Sequence, residues 1–188
     1  MSLKDEAVPY ILDASASIFT VRAFASGLFS GFGHNPTISV RDFSGEARFV
    51  PGTLQSASLD FSVRADSLRV TDDVSAQDRD DIENRMRNDV LEVSRYPEIA
   101  FRSNQVISKP VSEVRFAVTV KGDLTLHGVT CPQDIAAQVM VVDGTIRASG
   151  DFSLLQTKFG IRLVSVAGGT LKVKDELKLS FNIVARQQ

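Results

Sequence analysis

The chain has 188 residues, 21 basic against 23 acidic side chains, a net charge of −2 and 43% hydrophobic residues. That length sets one domain, or at most two small ones, able to bury a core without staples. No basic stripe interleaves with aromatics, no basic amphipathic helix is visible, and Cys131 is the single cysteine; nucleic-acid binding, a membrane-surface helix and an internal disulfide lose their sequence basis.

The first residues, MSLKDEAVPYILD, hold no apolar run before a small-residue cleavage site. They predict no secretory signal and a cytoplasmic location, or a periplasmic one if a leader has been removed. No stretch is long and apolar enough for stable membrane insertion.

Alternation then dominates. Residues 17–24 place Phe19, Val21 and Ala23 on one face and Arg22 on the other. Residues 25–36, ASGLFSGFGHNP, read as a Gly- and Ser-rich loop carrying His34. Residues 38–49 alternate Phe43, Gly45, Ala47 and Phe49 against Asp42, Glu46 and Arg48. Pro51-Gly52 is a turn signal, and residues 54–64 follow with Leu59, Phe61 and Val63 on one side.

At 75–93 the period changes. Ile82, Met86, Val90 and Val93 form a narrow apolar stripe on a charged helix. Ser75 with Asp78 resembles a capping box, and Tyr96-Pro97 ends the segment. A stripe this thin predicts a helix lying across one end of a sheet.

Strands return at 99–106, 112–126, 133–142, 145–154 and 170–185. The second of these is the clearest: Phe116, Val118, Val120, Gly122, Leu124 and Leu126 hold period 2. The segment 127–132 turns the chain, and Asp143-Gly144 is a two-residue hairpin signal. A phase shift at Lys174-Asp175-Glu176 predicts a bulge or short turn. About eight long strands and one helix, inserted between strands three and four, favour an all-β, closed antiparallel barrel, with a two-sheet sandwich as the alternative.

The inferred inner face is apolar. It includes Phe19, Val21, Phe43, Phe61, Phe101, Phe116, Val118, Val120, Val139, Phe152 and Phe181. These residues either fill the barrel or line a cavity, and alternation alone favours the filled core. Gly45, Ala47, Gly122, Ala137, Ala148 and Gly150 share inner positions, where they would leave room. His34 and His127 are the two histidines. Neither has metal-ligand spacing with Cys131 or the nearby acids, and no nucleophile or phosphate-loop motif is present, so no metal or catalytic residue is expected.

Several separated segments resemble one family. GDLTLHGVTCPQDI (122–135) resembles the G-x-LT-L/I-x-G-x-T-x-P segment of the YceI-like family. RYPEIAFRS (95–103) is similar to its yP-x-I-x-F-x-S segment, and SLRVTDDVSAQDRDD (67–81) carries its Ser, Thr and Arg-Asp spacing. DFSGEARF (42–49) and TKFGIRL (157–163) fit two more segments. Tyr10 and Asp13 fit the opening motif, but Ser15 or Ala16 stands where His is common, and Val90-Leu91 replaces the usual Phe-Phe. These departures mark a divergent branch.

The resemblance covers residues 10 to 185. It implies a single domain over 1–188 with an extended, eight-stranded, lipocalin-like barrel. It also implies a non-enzymatic binding, transport or sequestering role for an amphipathic isoprenoid lipid, of quinone or polyprenyl type, and a possible homodimer. The inner-face residues above become candidate ligand contacts, with His34 at the cavity mouth. The competing expectation is a filled barrel acting as a protein-interaction or stress-response module. A lipid-modifying enzyme would need a catalytic group at the mouth.

Overall fold

The computed structural model describes residues 6–26, 35–166 and 171–188. Its strands are β1 (Val8–Leu12), β2 (Ile18–Arg22), β3 (Ala25–Ser26), β4 (Thr37–Ser39), β5 (Phe43–Val50), β6 (Gln55–Arg64) and β7 (Arg69–Val70). After a helix come β8 (Glu98–Pro110), β9 (Arg115–Leu126), β10 (Val129–Val142), β11 (Thr145–Leu155), β12 (Ser165–Val166), β13 (Leu171–Val173) and β14 (Glu176–Gln187).

Eight of them close a ring in the order β1-β5-β6-β8-β9-β10-β11-β14, every pairing antiparallel. The seam is β1 against β14, with Tyr10 opposite Gln187 and Leu12 opposite Ala185. Closure satisfies the backbone edges that an open sheet of such long strands would leave bare. The barrel, not the sandwich, is the architecture.

The ring member β1 falls outside the alternating segments, because Val8-Pro9-Tyr10-Ile11-Leu12 has no polar partner face. The segment beginning at 17 is instead a continuation. A 3-10 turn at Ala14–Ala16 separates β1 from β2, capped by Asp13, whose Oδ1 accepts from the Ala16 amide at 3.2 Å. A second such turn, Ala65–Ser67, separates β6 from β7. Beyond these breaks β2, β4 and β7 extend the sheet from the lower half of β14. The segment 170–185 also divides: β13 joins β3 and β12 in a small separate sheet, and β14 starts afresh after Asp175.

Two hairpins use glycine for its positive φ. His127-Gly128 has φ values of 52° and 73°, and Asp143-Gly144 has 47° and 69°. Both are the mirror-image turns that match strand twist. The first narrows the expected turn at 127–132: Val129 to Pro132 already pair with Leu126 to Asp123.

The helix α1 (Ala76–Arg85) begins as expected, with Ser75 Oγ accepting from the Asp78 amide at 3.1 Å. It does not run α-helically to 93. A π turn at Met86–Val90 follows, closed by Leu91 N–H donating to Met86 O at 2.9 Å. Glu83, only 7% exposed, fixes α1 to the barrel: its carboxylate accepts from the Val70 amide at 3.0 Å and from Arg87 Nη2 at 2.7 Å.

The core has two parts. Val21, Phe43, Leu68, Met86, Leu91 and Phe159 belong to the cluster at the helix-capped end. Tyr10, Phe49, Leu54, Phe116 and Ile146 belong to the one at the opposite end. There Tyr10 and Phe49 stack with centroids 4.6 Å apart, and burial pushes the Tyr10 hydroxyl's pKa up.

Candidate binding site inside the barrel

Between the two clusters lies an internal cavity of ≈270 Å³, just under the range of about 300–1,000 Å³ common for small-molecule sites. Its wall comes from the inward positions of the ring strands, because a barrel strand turns alternate side chains to the lumen.

The structure brings most of the expected residues to that wall. Phe19 and Val21 reach it from β2, Phe61 from β6 and Phe101 from β8. Val118 and Val120 of β9 lie alongside Val139 of β10, and Phe152 of β11 stands near Phe181 of β14. Phe43 and Phe116 are buried without forming wall. Phe43 stands behind it, its ring 5.5 Å from that of Phe61 and 6.4 Å from that of Phe19. Phe116 packs in the far cluster beside Tyr10 and Phe49. His34 lies outside the described residues.

The small residues behave differently from one another. Ala47, Ala137 and Ala148 do face the cavity. The glycines leave no room. A Cβ on Gly45 would meet Asp60 O at 2.5 Å, one on Gly122 would meet Arg102 O at 2.4 Å, and one on Gly150 would meet Ala136 O at 2.3 Å. Neighbouring backbone, and the rings of Phe101 and Phe181 laid over Gly122 and Gly150, occupy that space.

Several wall residues were not visible as such in the sequence, and these include three from outside the strands. Val90 and Leu91 enter from the helix-capped end, delivered by the π turn. Gln156, in the 3-10 turn Gln156–Phe159 after β11, is the third. It is 5% exposed, and its Nε2 donates to Lys174 O at 2.9 Å. Arg48 and Ser58 border the cavity from the β5–β6 pair, but both are exposed outside, where Arg48 pairs with Glu46. The lumen is thus apolar apart from Gln156.

His127 is a closing element rather than a lumen residue. Its Nδ1 lies 3.2 Å from Phe159 O, its Nε2 3.1 Å from Glu92 Oε1, and its ring 4.6 Å from that of Tyr96. A carbonyl only accepts, so Nδ1 is the donor to Phe159. Among the described residues no group of three or more His, Cys, Asp or Glu could hold a metal ion. No helix among them is long and apolar enough to cross a membrane.

A closed antiparallel barrel with an apolar lumen and a helix across one end defines a lipocalin-like architecture. The chain belongs to the YceI-like domain family, whose model matches residues 10–185. Comparison with curated proteins found no significant match. Among solved structures, BcnA of Burkholderia cenocepacia is similar with a TM-score of 0.69 at 16% identity, over 92% of this chain and 98% of that one. A polyisoprenoid binding domain from Saccharophagus degradans, implicated in plant cell wall breakdown, gives 0.68 at 16% identity, over 96% and 99%. The Campylobacter jejuni YCEI protein gives 0.62 at 16% identity, over 83% and 87%.

Proposed function

We propose that this protein is a non-enzymatic binding protein that holds one isoprenoid lipid, of quinone or polyprenyl type, inside its barrel. The observation that carries this reading is the ≈270 Å³ cavity, whose wall is apolar from Phe19 to Phe181 apart from Gln156. An apolar lumen favours a ligand that brings methylenes and methyls. Each buried methylene contributes about 0.8 kcal/mol before ordering costs. A barrel packed solid would leave no such space. The family membership and the likeness to a polyisoprenoid binding domain support the isoprenoid class.

The test is extraction of freshly purified protein into organic solvent, followed by mass spectrometry, with parallel offering of ubiquinones and polyprenols. A stoichiometric isoprenoid, or its uptake, is the expected result. Repeated absence of any lipid together with no uptake overturns the reading.

A further inference from the structure

We infer that the lipid enters and leaves the barrel sideways, through a gap in its wall between β6 and β8. The inference rests on the lipid reading above and gives the bound chain its way in.

The ladder between β6 and β8 is short. It pairs Arg64 with Glu98 at one end and stops at Asp60 opposite Arg102, although β6 reaches back to Gln55 and β8 runs on to Pro110. Both extensions are paired on their other sides. Gln55 and Ser58 lie opposite Val50 and Arg48 of β5, and Gln105 to Pro110 lie opposite Lys121 to Phe116 of β9. Among the described residues no strand pairing joins 55–59 to 104–110. The cause is local. The β8 register shifts between Ser103 and Gln105, which makes Asn104 an extra residue, and a bulge bends the strand that carries it. Where the ladder stops, a side chain takes over: Leu59 N–H donates to Ser103 Oγ at 2.7 Å.

The cavity reaches this gap. Ala57, Ser58 and Leu59 of β6, Val106 of β8 and Arg48 of β5 all border it. Ser58 and Arg48 are also exposed, so the same side chains meet the lumen and the solvent. Two strand edges that face each other without a ladder carry N–H and C=O groups that need water or another partner, and such edges do not seal dry. Between β9 and β10 the ladder runs from Val129 opposite Leu126 to Met140 opposite Arg115, and a lipid passing there has to break it. At the gap it has to displace the side chains of Ala57, Leu59 and Val106. A chain of many prenyl units also outruns a cavity of ≈270 Å³. The gap is where the remainder of such a chain emerges.

The probe is radiolabelled geranylgeraniol, taken up from phosphatidylcholine vesicles. Ser58→Cys and Gln105→Cys in a Cys131→Ser background place one thiol at an exposed position on each side of the gap. A bis-maleimide with a central disulfide joins them on the folded protein, with the bridge verified by mass spectrometry. The bridged protein is expected to take up and release the probe at least about tenfold more slowly, the two rates falling together so that affinity holds. Cleaving the bridge restores both rates. The same bridge between Gln138→Cys and Ser149→Cys, opposite each other on the outside of the β10–β11 ladder, is expected to change neither. Hydrogen exchange gives a second reading on the unmodified chain. The Ala57 amide points as the Leu59 amide does, two residues on, and is expected to exchange fast in delipidated protein and more slowly with probe bound. Wild-type exchange of the probe by the bridged protein, equal slowing by the control bridge, or a slow Ala57 amide without lipid overturns the portal and leaves the lipid reading standing. Failure of the unbridged protein to bind the probe overturns both.

Discussion

His127 and Glu92, 35 residues apart in sequence, meet at 3.1 Å across the helix-capped end, and each does so from a left-handed backbone, with φ of 52° and 45°. The contact ties the β9–β10 hairpin to the chain leaving the helix. Nδ1 of the same ring ties it to the turn after β11 through Phe159 O. When the ring carries both protons it donates to both partners at once.

His127→Ala removes both ties and leaves a non-glycine residue at positive φ. We expect a loss of about 1–3 kcal/mol, read as a fall in Tm of about 2–4 °C per kcal/mol. His127→Asn keeps a residue tolerant of that backbone and recovers part of the loss. A wild-type Tm for His127→Ala would show that the closure does not depend on this side chain.

Glu83 offers a second handle on the same end. Glu83→Ala deprives the Val70 amide and Arg87 of their acceptor, beside Arg79 and Arg87 Nε atoms that already lack one. The expected cost is about 2–4 kcal/mol in urea unfolding. Hydrogen exchange at the Val70 amide should rise with it, whereas unchanged exchange would place the anchor elsewhere.

Val120 faces the cavity from the middle of β9. Val120→Trp is expected to fold with nearly wild-type stability and to lose co-purifying lipid, since the indole occupies ligand space. A solid core at this point would answer with overpacking, about 1–3 kcal/mol of lost stability. Chemical unfolding with lipid analysis on the same sample separates the two.

Acid should loosen the turn that holds Gln156. The Thr157 hydroxyl first, then the Thr157 and Gln156 amides, hold the Asp175 carboxyl below its ordinary 3.8. A lowered folded value means that this contribution is complete above about 3.8 and is lost as pH falls through the folded value. Wild type should therefore lose stability below pH 4 more steeply than Asp175→Asn. Parallel pH profiles for the two proteins would refute it.

Much of this was legible from period. Strands such as β9 and β11 alternate cleanly because one face meets the lumen and the other water. The phase shift at 174–176 marked one break, between β13 and β14, but two others were not legible. The turns at Ala14–Ala16 and Ala65–Ser67 have no glycine or proline to mark them, and Asp13 and Ser17 act in part through Arg186 and Val184, brought near by closure. Gly122 and Gly150 read as room because a sequence shows the missing side chain and not the carbonyl pressed into its place. Gln156 carried no mark in the sequence. Its place in the wall is set by Lys174 and Asp175, 18 and 19 positions away, which fold back onto it.

The wall of this barrel is not equally strong all round. Between ring strands, separation means undoing a ladder of backbone hydrogen bonds, as along the register from Thr145 to Leu155 on β14. At β7 the described sheet ends, and the next neighbour is a helix. There the Val70 amide meets a carboxylate in place of a strand. At that latch one side chain does the work that a ladder of main-chain bonds does between the ring strands, so the helix and β7 stay together only while Glu83 keeps its place.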